Sequence, residues 1–136
     1  MEKWDIKSKN IEEFLSKYGK AFDTLDKKAV FLVGILAKFL LDKQYAERKS
    51  TPFTSKFHGL KLDVIKIKKL FNEIIEKLRE YRVGYPWLEE LIAKYLVEAD
   101  NKGWNLSRDE ISYYFTLGLN LGGIFKLKES KNNTEE

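Results

Sequence analysis

Residues 29–41 read Ala-Val-Phe-Leu-Val-Gly-Ile-Leu-Ala-Lys-Phe-Leu-Leu, thirteen positions with one charge, Lys38. A segment apolar on nearly all sides has to be enclosed by its neighbours if it is helical. Thirteen residues rising about 1.5 Å each span roughly 20 Å, too little to cross a hydrocarbon layer of about 30 Å, and Lys38 interrupts the run. The length, the absence of proline, and Asp23 and Thr24 as caps ahead of it favour a helix over a strand. The stretch is therefore a core helix, expected from about Leu25 to Tyr45. Gly34 inside it costs about 1 kcal/mol relative to alanine, which suggests a close helix crossing there.

The rest of the chain reads as amphipathic pieces that cover this helix. Ile11, Phe14, Leu15 and Tyr18 fall at i, i+3, i+4 and i+7 and predict a short helix stopped at Gly19. Ile67, Leu70, Phe71, Ile74, Ile75 and Leu78 form the stripe of a third helix from about Asp63 to Tyr81, with Glu73 and Lys77 at pairing distance. Val83–Pro86 is a turn. Pro86 then opens a fourth helix, predicted to stop near Ala99 before a turn at Asp100-Asn101-Lys102-Gly103. Ser107-Arg108-Asp109-Glu110 has the spacing of a capping box and starts a fifth. In that helix Gly118 and Gly122 share a face, and Phe115 precedes Gly118 as Phe31 precedes Gly34, so the core helix and the fifth helix are expected to meet at their glycines. No strand is expected. The fold class is all-α: one domain over 1–136, about five helices around a central apolar one, with an irregular lead-in at 1–10 and a flexible polar tail at 127–136.

Composition removes several kinds of chemistry. There is no cysteine and one histidine among 136 residues, which excludes disulfides, thiolate metal sites and cysteine nucleophiles. His58 alone makes a poor metal site or general base. Glu89 with Glu90, and Asp109 with Glu110, are adjacent carboxylates that diverge around a helix. Tyr113 and Tyr114 could stack on bases, but helical spacing favours one in the core and one on the surface. No enzyme, cofactor or metal is expected. Met1 to Asn10 lacks an apolar signal region, which points to the cytoplasm.

Charge distribution says more than the net charge of +4. From Lys43 to Lys69 there are eight basic residues against two acids; from Val83 to Phe125, three against six. A local excess of cations is the usual footprint of a phosphate-rich partner. The candidate nucleic-acid contacts are Lys43, Arg48, Lys49, Lys56, Lys61, Lys66 and Lys69. Four of them lie in the long aperiodic stretch 46–61, where Ser50, Thr51, Thr54 and Ser55 add hydroxyls suited to phosphate oxygens. The plainer alternative is a solvated charged surface with no partner, and a second one is a helical protein-only scaffold or adaptor whose basic strip serves acidic protein partners. Where the basic strip holds nucleic acid, the acidic portion, with Glu89, Glu90 and Glu98, would be free to meet protein neighbours.

Pro52-Phe53-Thr54-Ser55-Lys56, then Gly59-Leu60-Lys61-Leu62, then Trp104-Asn105-Leu106-Ser107 running into Glu110-Ile111-Ser112-Tyr113-Tyr114-Phe115-Thr116-Leu117-Gly118-Leu119-Asn120-Leu121 carry a resemblance. Over about Leu25 to Lys126 the chain resembles the C-terminal region of the Csh-type large subunit of type I-B CRISPR Cascade. In that family the region is also made separately, from an internal start, as a small subunit, and a chain of this length beginning at Met1 fits such a product. The resemblance implies a helical bundle without catalytic activity, present in more than one copy. It would brace the Cascade backbone and large subunits and help hold single-stranded DNA or the guide RNA-DNA hybrid. Cutting would belong to a recruited helicase-nuclease. In guided systems base pairing supplies the sequence specificity and the protein supplies charge to the backbones.

Overall fold

The structure, a computed structural model, describes residues 11–46, 62–122 and 130–131. Among these are five helices: α1 (11–17), α2 (Leu25–Ala46), α3 (Val64–Glu80), α4 (Pro86–Lys102) and α5 (Arg108–Leu121). The all-α bundle expected from the periodicities is what forms. Residues 1–10 and 47–61 lie outside the described residues.

Helix α2 is the centre. Ala29 to Val33 and Ile35 to Ala37 are fully buried, as is Leu40, because α3, α4 and α5 all pack on it. Lys38 keeps its ammonium at the surface, 3.1 Å from Asp42 one turn on. No described helix is long and apolar enough to cross a membrane. Tertiary cover, not lipid, satisfies this apolar helix.

Its N-terminus is fixed through Asp26, which is buried. Thr24 holds the cap position, but its hydroxyl donates to the Asp26 carboxylate. That carboxylate also accepts from the amides of Lys27 (2.9 Å) and Asn105 (3.0 Å). Asp26 thus ties the start of α2 to the segment between α4 and α5. Helix α1 docks over the same end through rings, with Phe14 stacked on Phe31 at 5.6 Å and Phe22 tilted against Phe31 at 4.7 Å.

The helix directions follow from the contacts. Lys28 lies over the Tyr95 ring at one end and Phe39 packs on Tyr85 at the other, so α4 runs antiparallel to α2. α3 and α4 form an antiparallel hairpin, which leaves α3 parallel to α2. α5 is also parallel to α2, since Phe31 adjoins Gly118 and Lys38 adjoins Gly122.

The anticipated glycine crossing is present. A Cβ built on Gly34 would lie 2.3 Å from the Phe115 carbonyl oxygen, and one on Gly118 would lie 2.0 Å from that of Phe31. At Gly122 the obstacle is the Lys38 Cβ, at 2.8 Å. Backbone meets backbone here, and any side chain would force the helices apart.

Two local expectations need correction. Asp100 to Lys102 are not a turn but the last turn of α4, closed by a bond of 2.8 Å from the Gly103 amide to the Ala99 carbonyl. The turn falls on Gly103, whose φ of 90° suits a residue without Cβ. Secondly, a small strand pair exists: β1 (Val83–Gly84) pairs antiparallel with β2 (Ser130–Lys131), Val83 opposite Lys131 and Gly84 opposite Ser130. Two residues of the expected polar tail are therefore held by backbone hydrogen bonds. β1 follows Arg82, which takes a left-handed φ of 60° to turn the chain out of α3.

Candidate nucleic-acid interface

The basic surface that the sequence points to is carried, among the described residues, mainly by α3. Asp63 caps this helix, its carboxylate accepting from the Lys66 amide at 2.9 Å. Ile67, Leu70, Phe71, Ile74 and Leu78 form its buried stripe, as their spacing requires. Lys66 and Lys69 are exposed, three residues apart, on the side of α3 turned away from α4. They form the part of the predicted contact set that the structure brings together.

Lys43 does not join them. It sits in the last turns of α2, the end that adjoins Tyr85, whereas Lys66 and Lys69 occupy the first turns of α3, the end that adjoins Asp100. A parallel arrangement of α2 and α3 puts the late residues of one far from the early residues of the other. Arg48, Lys49, Lys56 and Lys61 lie outside the described residues, and so does His58.

Three further cations of α3, Lys68, Lys77 and Arg79, lie in ion pairs. Lys68 reaches across to α4 and bonds both Asp100 oxygens, at 3.0 and 3.2 Å. Arg79 reaches α4 at the other end of the hairpin, with Nη2 3.0 Å from Glu89 Oε1. Lys77 lies 3.6 Å from Glu80, within its own helix. The two cross-hairpin pairs are eleven residues apart on each helix, three turns, so both fall on one edge. The excess of lysine counted along the sequence is thus partly cancelled in space, because pairing across antiparallel helices joins residues that the count treats separately.

Glu89 is also not available to a neighbour. It is 8% exposed, and besides Arg79 it accepts from the Tyr85 amide at 2.8 Å. Opening α4 with Tyr85-Pro86 leaves that amide facing the first turn, and Glu89 reaches back to it. Glu90, the next residue, points to solvent. The tyrosine pair divides as its spacing predicts: Tyr113 is exposed, while Tyr114 packs on Phe22 and donates to the Ala21 carbonyl at 2.9 Å. Burial pushes the Tyr114 phenol above its usual pKa, which keeps it a donor. Among the described residues no group of histidine, aspartate and glutamate converges to hold a metal ion.

Asp100 gives this edge a pH dependence. The Trp104 indole N–H donates to it at 2.7 Å, and that bond, followed by Lys68, holds its carboxyl below the usual carboxylate range. A carboxyl whose folded pKa is lowered stabilises the fold above its unfolded value, near 3.8, and loses that contribution as the pH falls through the folded one. Asp23, lowered chiefly by its bond to Lys27, adds to the same trend. The melting temperature is expected to fall between about pH 5 and pH 3, and to fall less in Asp100→Asn. Parallel thermal melts across that range, with an equal fall in both proteins as the contrary result, check this.

No curated protein and no solved structure matches the chain. A family model does, over residues 1–133: that of the CRISPR-associated protein TM1802 C-terminal domain.

Proposed function

Because the chain belongs to the family of the CRISPR-associated protein TM1802 C-terminal domain, we propose that it serves as a non-catalytic small subunit of a type I-B Cascade complex. In this reading it braces the backbone and large subunits in more than one copy, and its basic edge helps hold the target or displaced DNA strand. The family match carries the CRISPR role. The pair of exposed lysines on one face of α3, Lys66 and Lys69, supports the nucleic-acid part. A single strand needs only a row of cations, since its backbone charge is independent of sequence. No step of chemistry is assigned to the chain.

The test is single-strand binding as a function of salt. Each lost phosphate contact lowers the slope of log K against log salt by about 0.7 for a single strand, so Lys66→Ala with Lys69→Ala should flatten it by about 1.4. An unchanged slope removes these residues from the interface. The ion pairs of Lys68 and Arg79 favour a second reading, a protein-only scaffold whose remaining charges meet other proteins. Co-purification of Cascade proteins that survives an excess of unlabelled single-stranded DNA, with no measurable DNA binding by the chain itself, would select it.

A further inference from the structure

The indole of Trp104 is tied to the basic helix. Its N–H and the Lys68 ammonium both donate to the same oxygen of Asp100, Oδ1, at 2.7 and 3.2 Å. Trp104 lies just after α4 and is half-buried, packed against the core with part of its surface open to solvent. We propose that Trp104 stacks on a base of a single strand whose phosphates lie on Lys66 and Lys69, an inference that rests on the nucleic-acid reading above.

The surface of α3 leads from the two lysines to the indole. On a helix, residues three and four apart are neighbours. Lys66 therefore adjoins Lys69, Lys69 adjoins Ile65, and Ile65 adjoins Lys68. These four side chains step across the outer face, from the side away from α4 to the edge that meets it. Ile65 is 66% exposed, the most exposed large apolar residue among the described ones. No carboxylate stands in the row. The first one beyond it is Asp100, which Lys68 already balances. Asp63 turns to the Lys66 amide, and Glu73 and Glu76 lie further along α3. A helix with its side chains is about 10 Å wide, a short span for an extended strand.

The order of groups in this row matches a strand seen in cross-section: cations for the phosphates, then an apolar side chain, then a ring for a base. The bond to Asp100 restrains the indole before anything binds, so little side-chain freedom is lost on stacking. Every base has a π-face, so such a ring holds a strand without reading its sequence. Stacking neutralises no phosphate and releases no counterion. Its contribution is therefore independent of salt, unlike that of Lys66 and Lys69.

The test compares binding of the full chain to a thymidine oligonucleotide and to an abasic strand with the same number of phosphates, across a salt series. The wild type should bind the base-bearing strand about tenfold more tightly, with equal salt slopes for the two. Trp104→Leu should lose that preference by weakening the base-bearing strand alone, again at unchanged slope. Trp104→Phe keeps a ring but not the bond to Asp100, and should retain most of the preference. The wild-type comparison needs no variant, so it remains decisive should Trp104→Leu fail to fold. A wild type that binds both strands equally, with the salt slope expected of lysine contacts, overturns the stacking while leaving the nucleic-acid reading intact. Equal weakening of both strands by Trp104→Leu makes the indole a merely structural tie and overturns it too. A wild type that binds neither strand overturns both readings.

Discussion

Gly118→Leu is expected to lower the melting temperature by about 10 °C, and even Gly118→Ala should destabilise. On helix propensity alone the alanine variant would gain about 1 kcal/mol, because glycine in a helix interior is the more costly residue. The structure reverses that sign. The new Cβ would stand 2.0 Å from the Phe31 carbonyl oxygen and 3.1 Å from the Gly34 Cα, and main-chain atoms cannot rotate away as the end of a lysine could. Relief requires separating α2 from α5, which loosens Phe31, Ile35 and Phe115 in the best-buried part of the core. Overpacking of this kind costs about 1–3 kcal/mol and occasionally more, which outweighs the propensity gain. Gly34→Ala should behave alike, with the Phe115 carbonyl oxygen 2.3 Å from its Cβ. A thermal melt in which either alanine variant is more stable than wild type would mean that the helices do not cross this closely.

The second large effect is expected at Glu89. Arg79→Ala should cost roughly 2 kcal/mol, about 7 °C for a chain of this size, because it leaves a carboxylate buried with only the Tyr85 amide to satisfy it. Breaking a buried ion pair usually costs about 3–5 kcal/mol, and the smaller figure reflects the solvent that still reaches Arg79. Glu89→Ala should lose a similar amount for a different reason, since it removes the acceptor that completes the first turn of α4 and frees that end of the hairpin. Replacing both residues with leucine should be milder than Arg79→Ala alone, since no unpaired charge remains. Urea denaturation of the three variants separates these outcomes. If Arg79→Ala proves harmless, Glu89 is better solvated than the structure has it.

The hairpin explains why the reading of charge from sequence was only partly transferable. Lys68 and Asp100 are 32 residues apart, and nothing in either local sequence signals the pairing. The buried stripes of α3 and α4 could have hinted at it. Both helices are 17 residues long and joined by a tight turn at Arg82, so an antiparallel hairpin was foreseeable, and with it that Lys68 and Arg79, three turns apart, share one edge. The acids they find on α4 depend on the exact height at which the helices pack, which a periodicity does not contain.

What the chain's sequence determined by itself was whatever depends on neighbours in the chain: five helices from apolar spacing, the capping box at Ser107, the stop at Gly19, and the paired Phe-x-x-Gly steps that locate the α2–α5 crossing. The tertiary structure alone decided which charges survive at the surface. It gave Lys68 to Asp100 and buried Glu89, set Lys43 at the far end from Lys66 and Lys69, and drew Ser130 and Lys131 onto β1. Backbone preference and hydrophobic period act over a few residues, whereas Coulomb pairing and burial act over a few ångströms, and only folding turns the first kind of proximity into the second.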